Sequence, residues 1–234
     1  MDKGFPADTF LGGVSPETAE HLMAAGTLAA YTDRRPLLRQ GDAGTHVLLL
    51  LHGMVKIVTC TVEGHEVVLA FRRAGDMIGE MAALERRPRS STVVACGNVT
   101  VRVVQWPAMK KLLGQHPDAG ASLLQMLSAR LRWANQRQLD HHAYGAVIRL
   151  ARGLVELARL HEPPQRGELE TRREIPVSLT QEEVASLAGL ALTTTQKALA
   201  ELRRDGLVEV SYRKIIITNF PKLLVLSKLI DENP

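Results

Sequence analysis

The chain has 234 residues, of which 45% are hydrophobic, 23% charged and 4% aromatic, with 29 Lys and Arg against 25 Asp and Glu for a formal charge of +4. That length holds two modest domains, each with its own core. The ordinary apolar and charged fractions exclude a disordered or collagen-like polymer. At the start, Met1-Asp2-Lys3-Gly4-Phe5-Pro6 has no basic stretch followed by an apolar one, so no export signal is read and a cytoplasmic protein is expected. Ser15-Pro16-Glu17 joins a cap residue, a proline at the first helical position and an acid in the first turn, which predicts a helix over about 15–25 that Gly26 can end.

From about Leu28 to Trp106 short runs of Val, Ile, Leu and Thr are punctuated by Gly41-Asp42, Gly53, Glu63-Gly64, Gly75-Asp76 and Gly97-Asn98, which read as strands and turns. With no helix-length segment between them, the region is expected to be an antiparallel β-barrel or jelly roll. The longest uncharged apolar runs, such as 47–51, fall far short of the roughly 20 residues of a membrane-spanning helix, so no membrane is expected. Two cysteines, Cys60 and Cys96, are too few for a disulfide framework or a four-thiolate cluster.

Pro107 to Leu113 reads as a short helix, and His116-Pro117-Asp118 as a break before a long helix from about Asp118 to Tyr144. On it Leu124, Leu127, Leu131 and Ala134 recur at spacings of three and four, and Leu123, Met126 and Trp133 form an adjacent stripe. Two seams point to a dimerisation helix, the alternative being that both serve one intramolecular core. A further helix over about 147–160 gives way to a polar Pro/Gly loop at 161–167. Thr180 and Glu183 form a capping box before the apolar face of Val184, Leu187 and Ala188, and Gly189 stops that helix. The next, about Thr193 to Asp205, turns Ala198, Leu199 and Leu202 inward and ends at Gly206. Leu207 to Val210 and Ile215 to Thr218 alternate about a turn at Ser211-Tyr212-Arg213-Lys214, which completes a winged helix-turn-helix. Between Arg172 and Lys214 seven basic residues face six acidic ones, so any DNA argument rests on where individual side chains point.

The densest chemistry lies in Gly75-Asp76-Met77-Ile78-Gly79-Glu80-Met81-Ala82-Ala83-Leu84-Glu85-Arg86-Arg87-Pro88-Arg89-Ser90-Ser91. A phosphate among strands needs a fixed guanidinium, hydroxyl or backbone donors, and a chain that approaches closely, which Arg89, Ser90 and the Gly79 region can supply. A sugar hydroxyl needs an acceptor, and Glu80 is the available carboxylate. Taken alone, the same residues also describe an exposed charged loop. His46, His52 and His65, and the adjacent pair His141-His142, are read as surface or core residues, because neighbours on a helix do not face one site. No nucleophile with a paired base, no His-Glu-x-x-His and no glycine-rich loop with a following lysine is present, so no enzyme is expected.

Taken with the order of segments, Gly79-Glu80-Met81-Ala82 followed by Arg89-Ser90-Ser91 resembles the phosphate-binding cassette of the cyclic-AMP receptor protein / Fnr family of bacterial transcription regulators. The resemblance covers about residues 10–220. It implies an α+β chain with three parts: a cyclic-nucleotide-binding-type β-barrel over 1–117, a dimerisation helix and hinge over 118–145, and a winged helix-turn-helix DNA-binding domain over 146–234. By the same resemblance Glu80 accepts from the ribose 2′-hydroxyl, the Gly79 and Glu80 backbone approaches the phosphoribose, and Arg89 with Ser90 holds the cyclic phosphate, with Met81, Ala82 and Ser91 alongside. The effector implied is a cyclic nucleotide, cyclic AMP first, with no prosthetic group and no metal. Where the cyclic-AMP receptor reads adenine with a Thr-Ser pair on the long helix, this chain has Ala134 and Asn135, with Arg130 one turn earlier; Asn135 can pair with a purine edge.

The family's second reading helix opens with Ser-Arg-Glu-Thr-Val; here the run is Ala191-Leu192-Thr193-Thr194-Thr195-Gln196-Lys197, with Leu192 and Thr193 at the base-reading Arg and Glu positions and Lys197 at a later Arg. Thr180, Thr194, Thr195, Arg213 and Lys214 are expected at the DNA backbone, and Gln181 is counted among the DNA-binding residues. Leu192 can meet a thymine methyl, Gln196 an adenine and Lys197 a guanine. The expected protein is a homodimeric regulator hinged near Tyr144-Gly145 whose partners are double-stranded DNA and a cyclic nucleotide, contact with RNA polymerase being left open. The alternatives are a ligand-independent or differently liganded regulator of the same fold, or a nucleotide-binding module of an enzyme complex.

Overall fold

A computed structural model of the chain describes residues 4–61, 64, 66–160 and 171–229. Residues 1–3 of the N-terminal reading, Glu63 of the Glu63-Gly64 turn, His65 and the loop over 161–167 lie outside the described residues. The chain divides into two compact units, with the division inside its longest helix, between Asn135 and Gln136, and with Val67–Leu69 grouped with the second unit.

The first unit opens with α1 (Pro16–Ala24), where the Ser15 hydroxyl accepts from the Thr18 amide as the sequence predicts. Strands β1 (Thr27–Tyr31), β2 (Pro36–Leu38), β3 (His46–Cys60), β4 (Glu66–Arg73) and β5 (Met77–Ile78) follow, then α2 (Glu80–Glu85), β6 (Thr92–Gln105) and α3 (Trp106–Gln115). α4 (Pro117–Ala143) runs on from there into the second unit. The sheet order is β1-β6-β3-β4, with β2 on β6 and β5 on β3, and β6 is antiparallel to β1, β2 and β3. Gly53 and Gly97 do not end strands as their turn-like settings suggest. Both take positive φ, 84° and 78°, inside β3 and β6, whose register slips at residues 50–54. A left-handed residue bends a strand without ending it, so each glycine makes one long bulged strand where two short ones are expected.

The apolar run along β3 is continuous because both of its faces are covered. Val47 and Leu49 join Phe10, Leu22, Met77, Val104, Met109, Leu123 and Met126 in one core, whereas Leu48 and Leu50 join Leu38, Ile78, Val93, Val99 and Val101 in another. Burying one such leucine contributes about 1.5–3 kcal/mol. Of the two stripes on α4, Leu123 and Met126 face the first core, while Leu124 and Leu131 stay 67% and 63% exposed.

The second unit continues through α5 (Ala146–Arg159), β7 (Arg173–Glu174), α6 (Gln181–Ala188), α7 (Leu192–Arg204), β8 (Val208–Ser211), β9 (Lys214–Ile217) and α8 (Phe220–Ser227). α5 packs on α6, α7 and α8, and Gly153 permits the close approach, since a Cβ there would lie 3.1 Å from the Leu187 side chain. The strands form an antiparallel sheet in the order β7-β9-β8. The helix-turn-helix and hairpin stand where the sequence places them. The short α2, the strand β7 and all of α8 are additions to that reading. Among the described residues no helix is long and apolar enough to cross a membrane.

Candidate functional site

The chain turns from β5 into α2 through Gly79, whose φ of 84° only glycine adopts at low cost. A Cβ at Gly79 would also lie 2.6 Å from Arg89 Nη1 and 3.0 Å from a Leu38 methyl, so both conformation and space demand glycine. Glu80 follows and is 3% exposed. The segment carrying Arg89 is fixed to residues 41–43 by main-chain bonds, from the Arg89 amide to the Asp42 carbonyl at 2.8 Å and from the Gly41 amide to the Arg89 carbonyl at 2.9 Å.

Arg89 is 4% exposed and donates at 2.6 Å to the carbonyls of Gly79 and His46. Burial holds its guanidinium below the ordinary value, against the opposing pull of the Glu80 and Asp42 carboxylates. A desolvated cation whose hydrogen bonds go to neutral carbonyls favours an anion beside it. His46 is lowered as well, by burial and then by the Arg89 charge.

Arg130 reaches the same place from α4. Its guanidinium donates to Glu80 at 2.6 Å and to the Met77 carbonyl at 2.8 Å, and lies 3.6 Å from Asp76. Asp76 is itself buried and accepts from the Arg73 amide at 2.9 Å. Arg72, on β4, belongs to this charge group although its sequence setting did not single it out; burial and then the positive charge of Arg130 lower it to about 10, against Asp76 and Glu80. The structure therefore gathers Gly79, Glu80, Arg89 and Arg130, and adds Arg72 and Asp76. Ala82 is buried, Ser91 half-buried, and Met81 and Ser90 are exposed. Ala134 and Asn135 stand exposed on α4 one turn beyond Arg130.

In the second unit the capping box is complete: the Thr180 hydroxyl accepts from the Glu183 amide at 3.2 Å, and Glu183 accepts from the Thr180 amide at 2.7 Å. α7 presents Thr193, Gln196 and Lys197 to solvent, with Leu192 and Thr194 half-buried. Gln196 donates to Gln181 at 2.8 Å, which joins the exposed faces of the two helices. Thr195 corrects the sequence reading. It is fully buried and its hydroxyl donates to the Ala191 carbonyl at 3.1 Å, because position 195 falls on the face that carries Ala198, Leu199 and Leu202 into the core. On the hairpin, Lys214 pairs with Glu174 at 2.8 Å, and Arg213, at φ 55°, lies against the ring of the exposed Tyr212.

Residues 29–116 match the cyclic nucleotide-binding domain family, and residues 148–226 match the Crp-like helix-turn-helix domain family. The chain is similar to the CRP-like cAMP-activated global transcriptional regulator of Mycobacterium tuberculosis, 26% identical over 223 residues that cover 95% of this chain and 98% of the relative. Its fold is that of FixK2 from Bradyrhizobium japonicum, with a TM-score of 0.70 and 23% identity over 88% of this chain and 98% of the other. The c-di-GMP responsive global regulator CLP of Xanthomonas campestris shares the fold too, with a TM-score of 0.71 and 20% identity over 87% of this chain and 99% of the other.

Proposed function

The chain belongs to the cyclic-AMP receptor protein / Fnr family of transcription regulators, and we propose that it acts as a cytoplasmic homodimer whose affinity for DNA is set by a cyclic nucleotide, cyclic AMP first. The observation that carries the ligand reading is Arg89, a buried guanidinium beside a glycine that leaves room for it. A cyclic phosphate supplies the anion such a group favours, and it would exchange with the carbonyls of Gly79 and His46. Glu80 is the acceptor for a ribose hydroxyl, and its bond to Arg130 ties any change there to α4. Ligand and DNA then share one set of states, and each favours the arrangement that the other binds.

A different nucleotide in the same pocket is the second reading, supported by Ala134 and Asn135, which offer a base other partners than a Thr-Ser pair would. Calorimetric titration of the full chain with cyclic AMP, cyclic GMP and cyclic di-GMP separates the two. Saturable binding of one of them, lost in Arg89→Ala while the protein stays folded, is the expected result and names the signal. Equal binding by wild type and Arg89→Ala would refute the site, and no binding of any of the three would leave a ligand-independent DNA-binding protein.

A further inference from the structure

α6 has no basic residue in its own last turn, yet its terminal carbonyls need donors and its negative end favours a cation. Two other helices supply both. Arg137 of α4 donates through Nη2 to the carbonyl of Ser186, at 3.3 Å, and to that of Leu187; Arg149 of α5 donates through Nη2 to the carbonyl of Gly189. Gly189 takes φ of 61°, and a Cβ there would lie 2.8 Å from Arg149 Nη2, so this glycine ends α6 and clears the space for its cap. Burial lowers both guanidinium groups from their ordinary values.

The end of α4 is fastened to its surroundings by a second set of bonds. Asp140 and Arg152 pair at 2.6 Å with side chains 9% and 5% exposed. Gln136 donates to the other Asp140 oxygen at 2.9 Å, and Arg152 donates to the Ser227 carbonyl of α8 at 3.0 Å. Arg137, Asp140, Arg149, Arg152 and Glu156 line a polar cleft. An apolar contact tolerates sliding, whereas paired charges and forked guanidiniums hold one register.

We propose that Arg137 and Arg149 are positioning residues for DNA recognition, fixing the C-terminal end of α6 and, through the turn at Gly189-Leu190-Ala191, the placement of α7. The DNA-reading unit on this account begins at Gln136, about two turns before the end of α4, and the last residues of α4 are part of it. The inference rests on reading α6 and α7 as the DNA-contacting pair. Neither arginine touches DNA in this scheme.

The test uses the full chain and the duplex that the wild type enriches from a random-sequence pool. Arg137→Gln should weaken binding about tenfold, the equivalent of one charged hydrogen bond, and leave the slope of log Kd against log salt unchanged. Arg137→Lys, which keeps the charge and loses the second nitrogen, Nη1, that donates to the Leu69 carbonyl, should fall between. A slope reduced by about 1 would make Arg137 a phosphate contact, and unchanged affinity would make the clamp idle; either overturns the proposal. Hydrogen exchange without DNA supplies an arm that needs no operator. Amides of residues 187–191 should exchange faster in Arg137→Gln than in wild type, equal rates there would also overturn the proposal, and a wild type that enriches no duplex would fail the DNA reading instead.

Discussion

Arg130 and Glu80 are 50 residues apart in sequence and 2.6 Å apart in space, and the bond between them joins α4 to the proposed nucleotide site. Glu80 is the more buried partner, 4% against 20% exposed. Removing the cation therefore strands a buried carboxylate, which costs about 3 kcal/mol or more. Removing the negative charge leaves Arg130 with Met77 and Asp76, a smaller loss. Thermal unfolding of the ligand-free protein should rank wild type above Glu80→Gln and Glu80→Gln above Arg130→Ala. The reverse order would show that the pair is not the buried contact described.

Gly79 is required twice over, by its φ of 84° and by the 2.6 Å that would separate a Cβ from Arg89 Nη1. Strain of that kind costs about 1–3 kcal/mol. Gly79→Ala should lower the melting temperature by several degrees and abolish nucleotide binding. The same substitution made in Arg89→Ala should be milder, because the shortest clash is gone while the backbone strain and the 3.0 Å approach to a Leu38 methyl remain. Equal losses in the two backgrounds would mean that Arg89 does not crowd Gly79.

What the sequence made legible was mostly local. Ser15, Thr180 with Glu183, and the inward face of Ala198, Leu199 and Leu202 follow from spacings of three and four, and the structure keeps each of them. Gly53 and Gly97 misled because glycine marks a turn and a bulge alike, and only the partner strand decides between them. α8 carries a readable start, Asn219 as a cap accepting from Lys222 and Pro221 in the first turn, but eight residues are too few for a periodic apolar face to stand out beyond the hairpin. At the candidate site, residue types pointed to Glu80 and Arg89 and the resemblance to Arg130, while their partners were not legible: the carbonyls of His46 and Gly79, and the neighbours Arg72 and Asp76, come together only through the pairing of distant strands.

The threonine run on α7 separates contact from packing. Thr195→Val removes a hydroxyl that serves the Ala191 carbonyl in the core, so the melting temperature should fall slightly, by no more than about 1 kcal/mol of stability, with DNA affinity unchanged. Lys197→Ala, on the exposed face, should weaken DNA binding and, if the ammonium meets phosphate, reduce the salt slope by about 1. A loss of DNA affinity in Thr195→Val with the fold intact would put that side chain back at the interface.

Leu124 and Leu131 lie two turns apart on one line of α4, both more than 60% exposed. Leucines at that spacing form a seam that a second copy of the helix covers. Sedimentation of the wild type should give a dimer, and Leu131→Asp a monomer with an unchanged melting profile of the N-terminal sheet. A wild-type monomer at micromolar concentration would leave the seam to another partner.

Asp118 links the start of α4 to the start of α1, accepting from the Ser15 amide at 2.9 Å and from the Thr18 hydroxyl at 3.0 Å. The Ser15 amide bond is the chief reason that its carboxyl falls from 3.8 to about 2, with the Thr18 and Ser15 side chains and the Ala119 amide adding to it against desolvation. A carboxyl that is more acidic folded than unfolded stabilises the fold in full above the unfolded value, and the contribution disappears as pH falls from 3.8 through about 2. Melting temperature measured between pH 5 and 2 should therefore drop more steeply in wild type than in Asp118→Asn, and the two curves should converge at the acid end. Since an asparagine oxygen still accepts one bond from Ser15, the variant should start lower at pH 5 yet remain folded. Parallel curves over the whole range would show that the Asp118 carboxylate is not held by these donors.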